Sequence, residues 1–339
     1  GLLPSLQTRE TRVGEALQAS TRIAGGRSRM RTSLLICQAA LSVVLLVGAG
    51  LFVRSFQRAS SVDLGFDRDR VVVVALRWDA RPEMAEALTI YEELSASLRR
   101  LPGVDAAATS FSVPFWSSLG LGQPRVPGLD SVPRHHNGGP YANKVSSGYL
   151  DAMGLAVVRG RDFTEADDAP GAAPVAILSE SMADAYWPAG DAVGQCLIIG
   201  REEEDPPCAE VVGVVENHHR QELVEDDPHF MYYLNQSHPS FGGEVPEALM
   251  VGVNADASGL VEELRQVAVA ASPLVRYAQV VPLAERVEPQ LRSWRLGASM
   301  FTAFGLLALV VATWGLYSVL AFDVALRRRE LGVRAALGA

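Results

Sequence analysis

The sequence predicts an α+β protein: two transmembrane helices flanking a large mixed α/β extracytoplasmic domain, read as two subdomains. Three observations carry this prediction. Uncharged apolar runs occupy residues 32–53 and 296–322, and about 20 apolar residues suffice to cross a bilayer as a helix. Arginines crowd one flank of each run: Arg29 and Arg31 before the first, and Arg327, Arg328, Arg329 and Arg334 after the second. Between the runs, β-branched stretches mix with helical periodicities without regular βαβ alternation, which is the α+β pattern.

Composition narrows the function class. The chain has 339 residues, 39 acidic against 30 basic, for a net charge of −9. That balance argues against a nucleic-acid partner. The chain opens on Gly1 and reads as a piece of a longer protein. The first apolar run is too long and too far from the start for a cleavable signal peptide.

Taken in order, residues 1–31 form a basic linker with a short amphipathic helix, which Gly25-Gly26 is expected to break. The first span, 32–53, carries Gly48 and Gly50, small residues that let helices approach in lipid. Gln38 within it reads as packing glue between helices. Basic residues mark the cytoplasmic side, so both termini are expected there, with residues 54–295 outside.

That outer segment starts with a buried strand, VVVVALRW at 71–78. Met84, Ala87, Leu88, Tyr91 and Leu94 then follow helical spacing, and Pro102-Gly103 ends the helix. A strand is expected from Val104. Residues 112–140, rich in Pro, Gly and Ser, read as an irregular loop with Trp116 tucked into a core and His135-His136 in solvent. Beyond it, a strand reaches Val145 and a short helix covers 148–153. Gly160-Arg161-Asp162-Phe163 reads as an architectural turn with Phe163 plugging the core.

Ser179 is placed as the N-cap of a helix through Tyr186. Strands follow at 193–199, 209–215, 230–234 and 249–254, then a helix at 258–271 and a strand at 275–281. Residues 283–296 are expected to run as a helix into the second span. The last stretch, 323–339, reads as a cytoplasmic coupling turn.

Cys196 and Cys208 sit on two neighbouring predicted strands. In an oxidising outer compartment they are expected to pair as a disulfide. The competing reading is a metal site using Glu202, Glu203, Glu204 and Asp205. His218, His219, His229 and His238 lie near Glu216, Asp226 and Asp227, but the spacing matches no zinc template, so a solvated acidic loop is expected. There is no GxxxxGK(S/T) phosphate loop and no G-x-S-x-G nucleophile motif. The expectation is a protein without catalytic residues, cofactor or metal.

Four passages carry a family resemblance. Residues 315–339, GLYSVLAFDVALRRRELGVRAALGA, resemble the segment after a transmembrane helix in the MacB/FtsX-type ABC transporter permeases. The family pattern R-x-x-E-(I/L)-G-(I/V)-R-x-A-L-G-A is met in place by Arg327, Glu330, Gly332, Arg334, Gly338 and Ala339. Residues 36–56 are similar to the first helix of the same module. RRLPGVDAAATSFSVPF at 99–115 and YANKVSSGYLDAMGLAVVRGRDFTEAD at 141–167 resemble its outer domain.

The resemblance implies a permease subunit that carries ATP-driven movement from a separate cytoplasmic ABC ATPase, supplied in trans, to the outer domain. Arg327, Arg328, Glu330, Gly332 and Arg334 would form the coupling site. The implied setting is a bacterial inner membrane, with lipid contacts, a dimeric or pseudo-dimeric assembly, and periplasmic or outer-membrane transport partners. A duplicated permease without its own ATPase is one form this can take. The alternative is a two-span sensor whose outer domain binds a ligand; the short Gly-containing tail without heptads speaks against it.

Overall fold

The computed structural model describes residues 19–80, 82–119, 123–129, 131–136, 138–200, 206–223, 228–238, 245–254 and 257–336. They divide into two compact units: one made by the chain ends up to Ser60 and from Arg292, the other by Ser61–Leu291.

The first unit is built from α1 (Ala19–Ser60) and most of α6 (Leu283–Ala336). Within Ile36–Ser60 and within Leu283–Ala321 each helix carries an 18-residue apolar stretch, of mean hydropathy 2.3 and 2.0 respectively. Only 11% of each is buried, whereas the core helix of a water-soluble protein would be covered. A helix that is apolar all round yet uncovered belongs in lipid. Where α1 and α6 meet, they run antiparallel along small residues. Phe52 stacks on Phe301 with ring centroids 4.6 Å apart. A Cβ on Gly48 would come within 3.2 Å of the Phe301 ring, and one on Gly297 within 2.9 Å of Phe52. The Ser42 hydroxyl donates to its own helix at Gln38 O, 2.8 Å, and lies 3.4 Å from Ala308 O.

Two expectations are corrected here. Helix α1 passes through Gly25-Gly26 without a break: glycine weakens a helix by roughly 1 kcal/mol but does not forbid one. The expected coupling turn is helical backbone as far as Ala336, continuous with the span. The side chains of Arg327, Arg328, Glu330, Gly332 and Arg334, and residues 337–339, lie outside the described residues.

The second unit is organised by a single ten-stranded sheet. Its first lobe is antiparallel, in the order β10 (Val275–Pro282), β1 (Val71–Trp78), β9 (Ala248–Val253), β2 (Val104–Ser110). The all-buried VVVVAL of β1 is central, paired on both sides. Two helices cover one face: α2 (Met84–Leu98) buries Tyr91, Leu94 and Leu98, and α5 (Ala257–Ala270) buries Leu264 and Ala268. The short helix α3 (Tyr149–Met153) also lies on this sheet, so close to β9 that a Cβ at Gly252 would stand 2.8 Å from Ala152 O.

The second lobe continues with β3 (Tyr141–Val145), β8 (Met231–Asn235), β5 (Val175–Ser179), β7 (Cys208–Val215) and β4 (Val157–Gly160), while β6 (Cys196–Ile198) also pairs with β7. The β3–β8 and β5–β7 pairs are parallel and the rest antiparallel. Its core gathers Leu178, Met182, Leu197, Val211 and Tyr232 beneath α4 (Glu180–Tyr186). This lobe is an insertion between β2 and β9 of the first. The expected two subdomains are thus two cores under one sheet.

Ser179 does precede α4, but its hydroxyl makes no cap bond. It accepts the Met231 N–H at 3.0 Å instead, and Asn217 Oδ1 takes the Ser181 N–H at 2.9 Å. The 160–163 turn is architectural. Asp167 accepts Arg161 through both carboxylate oxygens, at 2.7 and 3.1 Å, and the Thr164 N–H at 2.7 Å. Burial alone would raise the Asp167 carboxyl, but these donors outweigh it and hold it below its ordinary range.

Asp162 goes the other way. Burial pushes its carboxyl from 3.8 up to about 6, against the opposing Phe163 N–H. The folded state therefore holds this proton more tightly than the unfolded chain does. The stability it contributes is full below about pH 4 and is lost as pH rises to about 6. Asp162→Asn keeps an acceptor oxygen for Phe163 and removes the titration. Between pH 4 and 6 the variant should gain roughly 1–2 kcal/mol on the wild type, after discounting for partial exposure. Denaturant titrations of both proteins across that range check this, and a constant difference would remove the assignment.

Candidate functional site: the seam and the root of helix α6

The sheet narrows where the two lobes join, and outside it they meet through α3 on β9 and through single backbone bonds such as His219 N–H to Leu64 O at 2.9 Å. Strands β2 and β3 share the single register pair Ser110↔Val145. Side chains supply what the ladder lacks. Buried Asn143 accepts the Ser112 N–H at 2.9 Å and donates to Ser112 O and Ser110 Oγ, at 3.1 and 3.0 Å. The Thr109 hydroxyl donates to Gln236 Oε1, and Gln236 Nε2 donates to Glu92 at 3.1 Å, tying α2 to the end of β8. Asn235 accepts the Val175 N–H at 3.0 Å and donates to Asp167 O at 2.7 Å. Such a network stabilises only when its members are satisfied.

A cleft of about 260 Å³ opens on this seam, lined by Ser95, Arg99, Ser146, Glu165 and Asp168 among others. The Asp168 carboxylate accepts the Ser147 N–H at 2.6 Å, and burial raises its carboxyl. The cleft is polar throughout, and no group of three metal-binding side chains occurs among the described residues.

The second feature is the start of α6, within the Ser61–Leu291 unit. Leu283, Val287 and Leu291 are buried at every fourth position, so this face packs into the domain. On other faces it meets two loops. The Arg286 guanidinium lies 3.9 Å from the centre of the Trp116 ring, and that of Arg77 5.4 Å. Gln290 accepts the Leu223 N–H at 3.0 Å and donates to Gln221 O. The two loops are joined in turn: Phe115 N–H donates to Arg220 O at 2.9 Å.

This corrects the expectation for Trp116. It is half-buried, with the Arg286 and Arg77 guanidinium groups near its ring in cation–π arrangement, rather than sunk in a core. The histidine expectation is corrected as well. His218 and His238 are buried, at 5% and 1% exposure. His218 Nε2 lies 2.6 Å from the Tyr233 hydroxyl, while burial, with nearby Lys144, pushes His238 down to about 4. His135 stacks on His136 and contacts His229 and Phe230. Asp226 and Asp227 lie outside the described residues.

Cys196 and Cys208 stand on β6 and β7 with Cα atoms 5.6 Å apart, joined through sulfur. Residues 201–205, with the carboxylates of the competing metal reading, lie outside the described residues. The pair closes a short hairpin, and in the chain-entropy model such a loop contributes about 3 kcal/mol. Cys196→Ala with Cys208→Ala should cost roughly that much in the non-reduced protein and nothing under reductant. Unfolding curves with and without reductant, beside peptide mapping of the link, test the pairing.

Comparison with known proteins was informative on one side only. A search of curated proteins gave no match. Among solved structures, the periplasmic region of MacB from Actinobacillus actinomycetemcomitans aligns at 14% identity and TM-score 0.45, covering 66% of this chain and 94% of that one. The extracellular domain of the noncanonic ABC-type transporter YknZ from Gram-positive bacteria aligns at 18% identity and TM-score 0.40, covering 62% and 99%. The MacB-like periplasmic core domain family matches residues 32–287. That span takes in most of α1, both lobes and the first turns of α6. The chain therefore belongs to the MacB-like periplasmic core domain family.

Proposed function

We propose that this chain is the permease part of an ABC transporter that carries ATP-driven movement of a separate cytoplasmic ATPase to its extracytoplasmic domain, for export or extraction of a substrate. The observation that carries the reading is the family domain set between two bilayer-length apolar helices. The motif at Arg327, Arg328, Glu330, Gly332 and Arg334 supports it. In this reading the motif lies on the cytoplasmic side of a bacterial inner membrane, where its arginines meet lipid headgroups and Glu330 and Arg334 orient the docking surface toward the ATPase. A second copy or a second such module completes the membrane part, and a periplasmic or outer-membrane partner receives the substrate.

Chain direction makes the motif suitable for this work. Helix α6 has a continuous backbone from Leu283 to Ala336, so the motif and the helix root in the domain belong to one element. An exposed Glu–Arg pair four residues apart contributes only about 0.2–0.5 kcal/mol to a helix. Glu330→Lys should thus leave expression and insertion near normal while lowering transport and uncoupling it from ATP hydrolysis. The measurement is ATPase stimulation and transport by the reconstituted full-length permease with its ATPase; wild-type values for both would remove the coupling role.

Topology is open to a separate test. A cysteine placed at exposed Glu86 on α2 should react with a membrane-impermeant maleimide in intact spheroplasts. Reaction only after lysis would place the domain in the cytoplasm and end the permease reading.

A further inference from the structure

Besides its buried face, the root of helix α6 is tied to both lobes. Its covalent attachment is to the first lobe: β10 ends at Pro282 and the helix begins at Leu283. Strand β10 is the outermost strand of that lobe, paired with β1. Its second attachment is the side chain of Gln290. That amide accepts from Leu223 N–H at 3.0 Å and donates to Gln221 O.

Residues 216–223 belong to the second lobe. They leave β7, and His218 pins them to Tyr233 of β8 at 2.6 Å. Arg220 stacks over the Tyr141 ring of β3, 3.4 Å from its centre. The same helix turns hold a third contact, Arg286 on Trp116 at 3.9 Å. Trp116 lies on the loop leaving β2, next to Phe115, whose N–H reaches Arg220 O. The root of α6 therefore meets both lobes beside the place where β2 and β3 share only one register pair.

A helix fixed to both lobes, beside a sheet that narrows to one register pair between β2 and β3, couples its own shift to the angle between them, provided both fixings hold. We propose that Gln290, backed by the Arg286–Trp116 stack, is a latch that makes the second lobe follow helix α6, so that helix movement opens and closes the seam. With the latch broken, the helix would act through β10 and its buried face of Leu283, Val287 and Leu291, and its hold on the loop of the second lobe would be lost. The inference rests on the permease reading, since it assigns a route for movement that the ATPase supplies. Gln290 and Trp116 act here as positioning residues, through their contacts with Gln221, Leu223 and Arg286.

The test uses the full-length permease with its ATPase in lipid. Spin labels at Glu93 on α2 and at Ala189 beyond α4 report the distance between lobes by pulsed electron resonance, with and without ATP. In wild type the distance distribution should shift on ATP addition. Gln290→Ala removes both amide bonds, which weakens the closed latch by roughly tenfold or more. It should abolish the shift and lower transport several-fold, while ATP hydrolysis and thermal unfolding of the domain stay near wild type. Gln290→Glu keeps the acceptor and loses the donor, so an intermediate shift is expected. Trp116→Phe, which keeps a ring for Arg286, should fall near wild type and Trp116→Leu near Gln290→Ala.

A wild-type shift that persists in Gln290→Ala and Trp116→Leu would overturn the latch and leave the permease reading standing. A wild-type protein in which neither the distance nor transport responds to ATP would remove both.

Discussion

Everything in the extracytoplasmic unit depends on how a nearly interrupted sheet is held together. Backbone ladders are the ordinary glue between strands, and at the β2–β3 boundary the ladder shrinks to Ser110↔Val145. Buried main-chain groups there still need partners. Asn143 provides them, mimicking a peptide unit with one acceptor and one donor group directed at Ser112, as Asn235 does inside the second lobe for Val175 N–H and Asp167 O. The carboxamide of Gln236 then binds across to Glu92. A side-chain boundary can be rearranged at lower cost than a run of ladder bonds, because each net hydrogen bond contributes only about 1 kcal/mol. The sheet is thus continuous in topology and articulated in energy.

The apolar helices obey a different rule. In lipid, apolar faces gain nothing from mutual burial, so association depends on close packing. Gly48, Gly297 and the Phe52–Phe301 stack meet that need by letting rings settle against backbone. The remaining apolar surface of α1 and α6, such as Trp314 and Tyr317 at 72% and 69% exposure, is what a bilayer or further helices would cover.

Much of this was legible in the sequence, and the exceptions have physical causes. Strand β1 showed itself because six consecutive buried positions leave a β-branched run. Helix α2 showed its face because Tyr91, Leu94 and Leu98 recur at helical spacing. The two spans showed themselves as uncharged apolar runs long enough to cross a bilayer. Gly25-Gly26 misled because a break was inferred from a propensity of only about 1 kcal/mol. The histidines misled because a polar side chain can be buried when its partner comes from a distant strand, as Tyr233 does for His218. Gln290, Asn143 and Gln236 gave no local signal at all. An amide on an exposed helix and one that clamps a loop have the same sequence signature, since the partner lies about seventy or more residues away for Gln290 and is set only by the fold.

The insertion of one lobe within the other also bears on the order in which the chain can fold. The second lobe is a continuous stretch from β3 to β8, whereas the first joins β1 and β2 to β9 and β10 from beyond it. Joining β2 to β9 first would mean closing a long flexible loop, and that entropy must be spent before any contact rewards it. Once the inserted lobe has condensed, the strands that bound it, β3 and β8, stand as parallel neighbours, and the loop left to close is shorter than the whole insertion. The β3–β8 pairing is itself long-range and carries much of that entropy, so the register of β2 against β9 is set after the insertion has ordered.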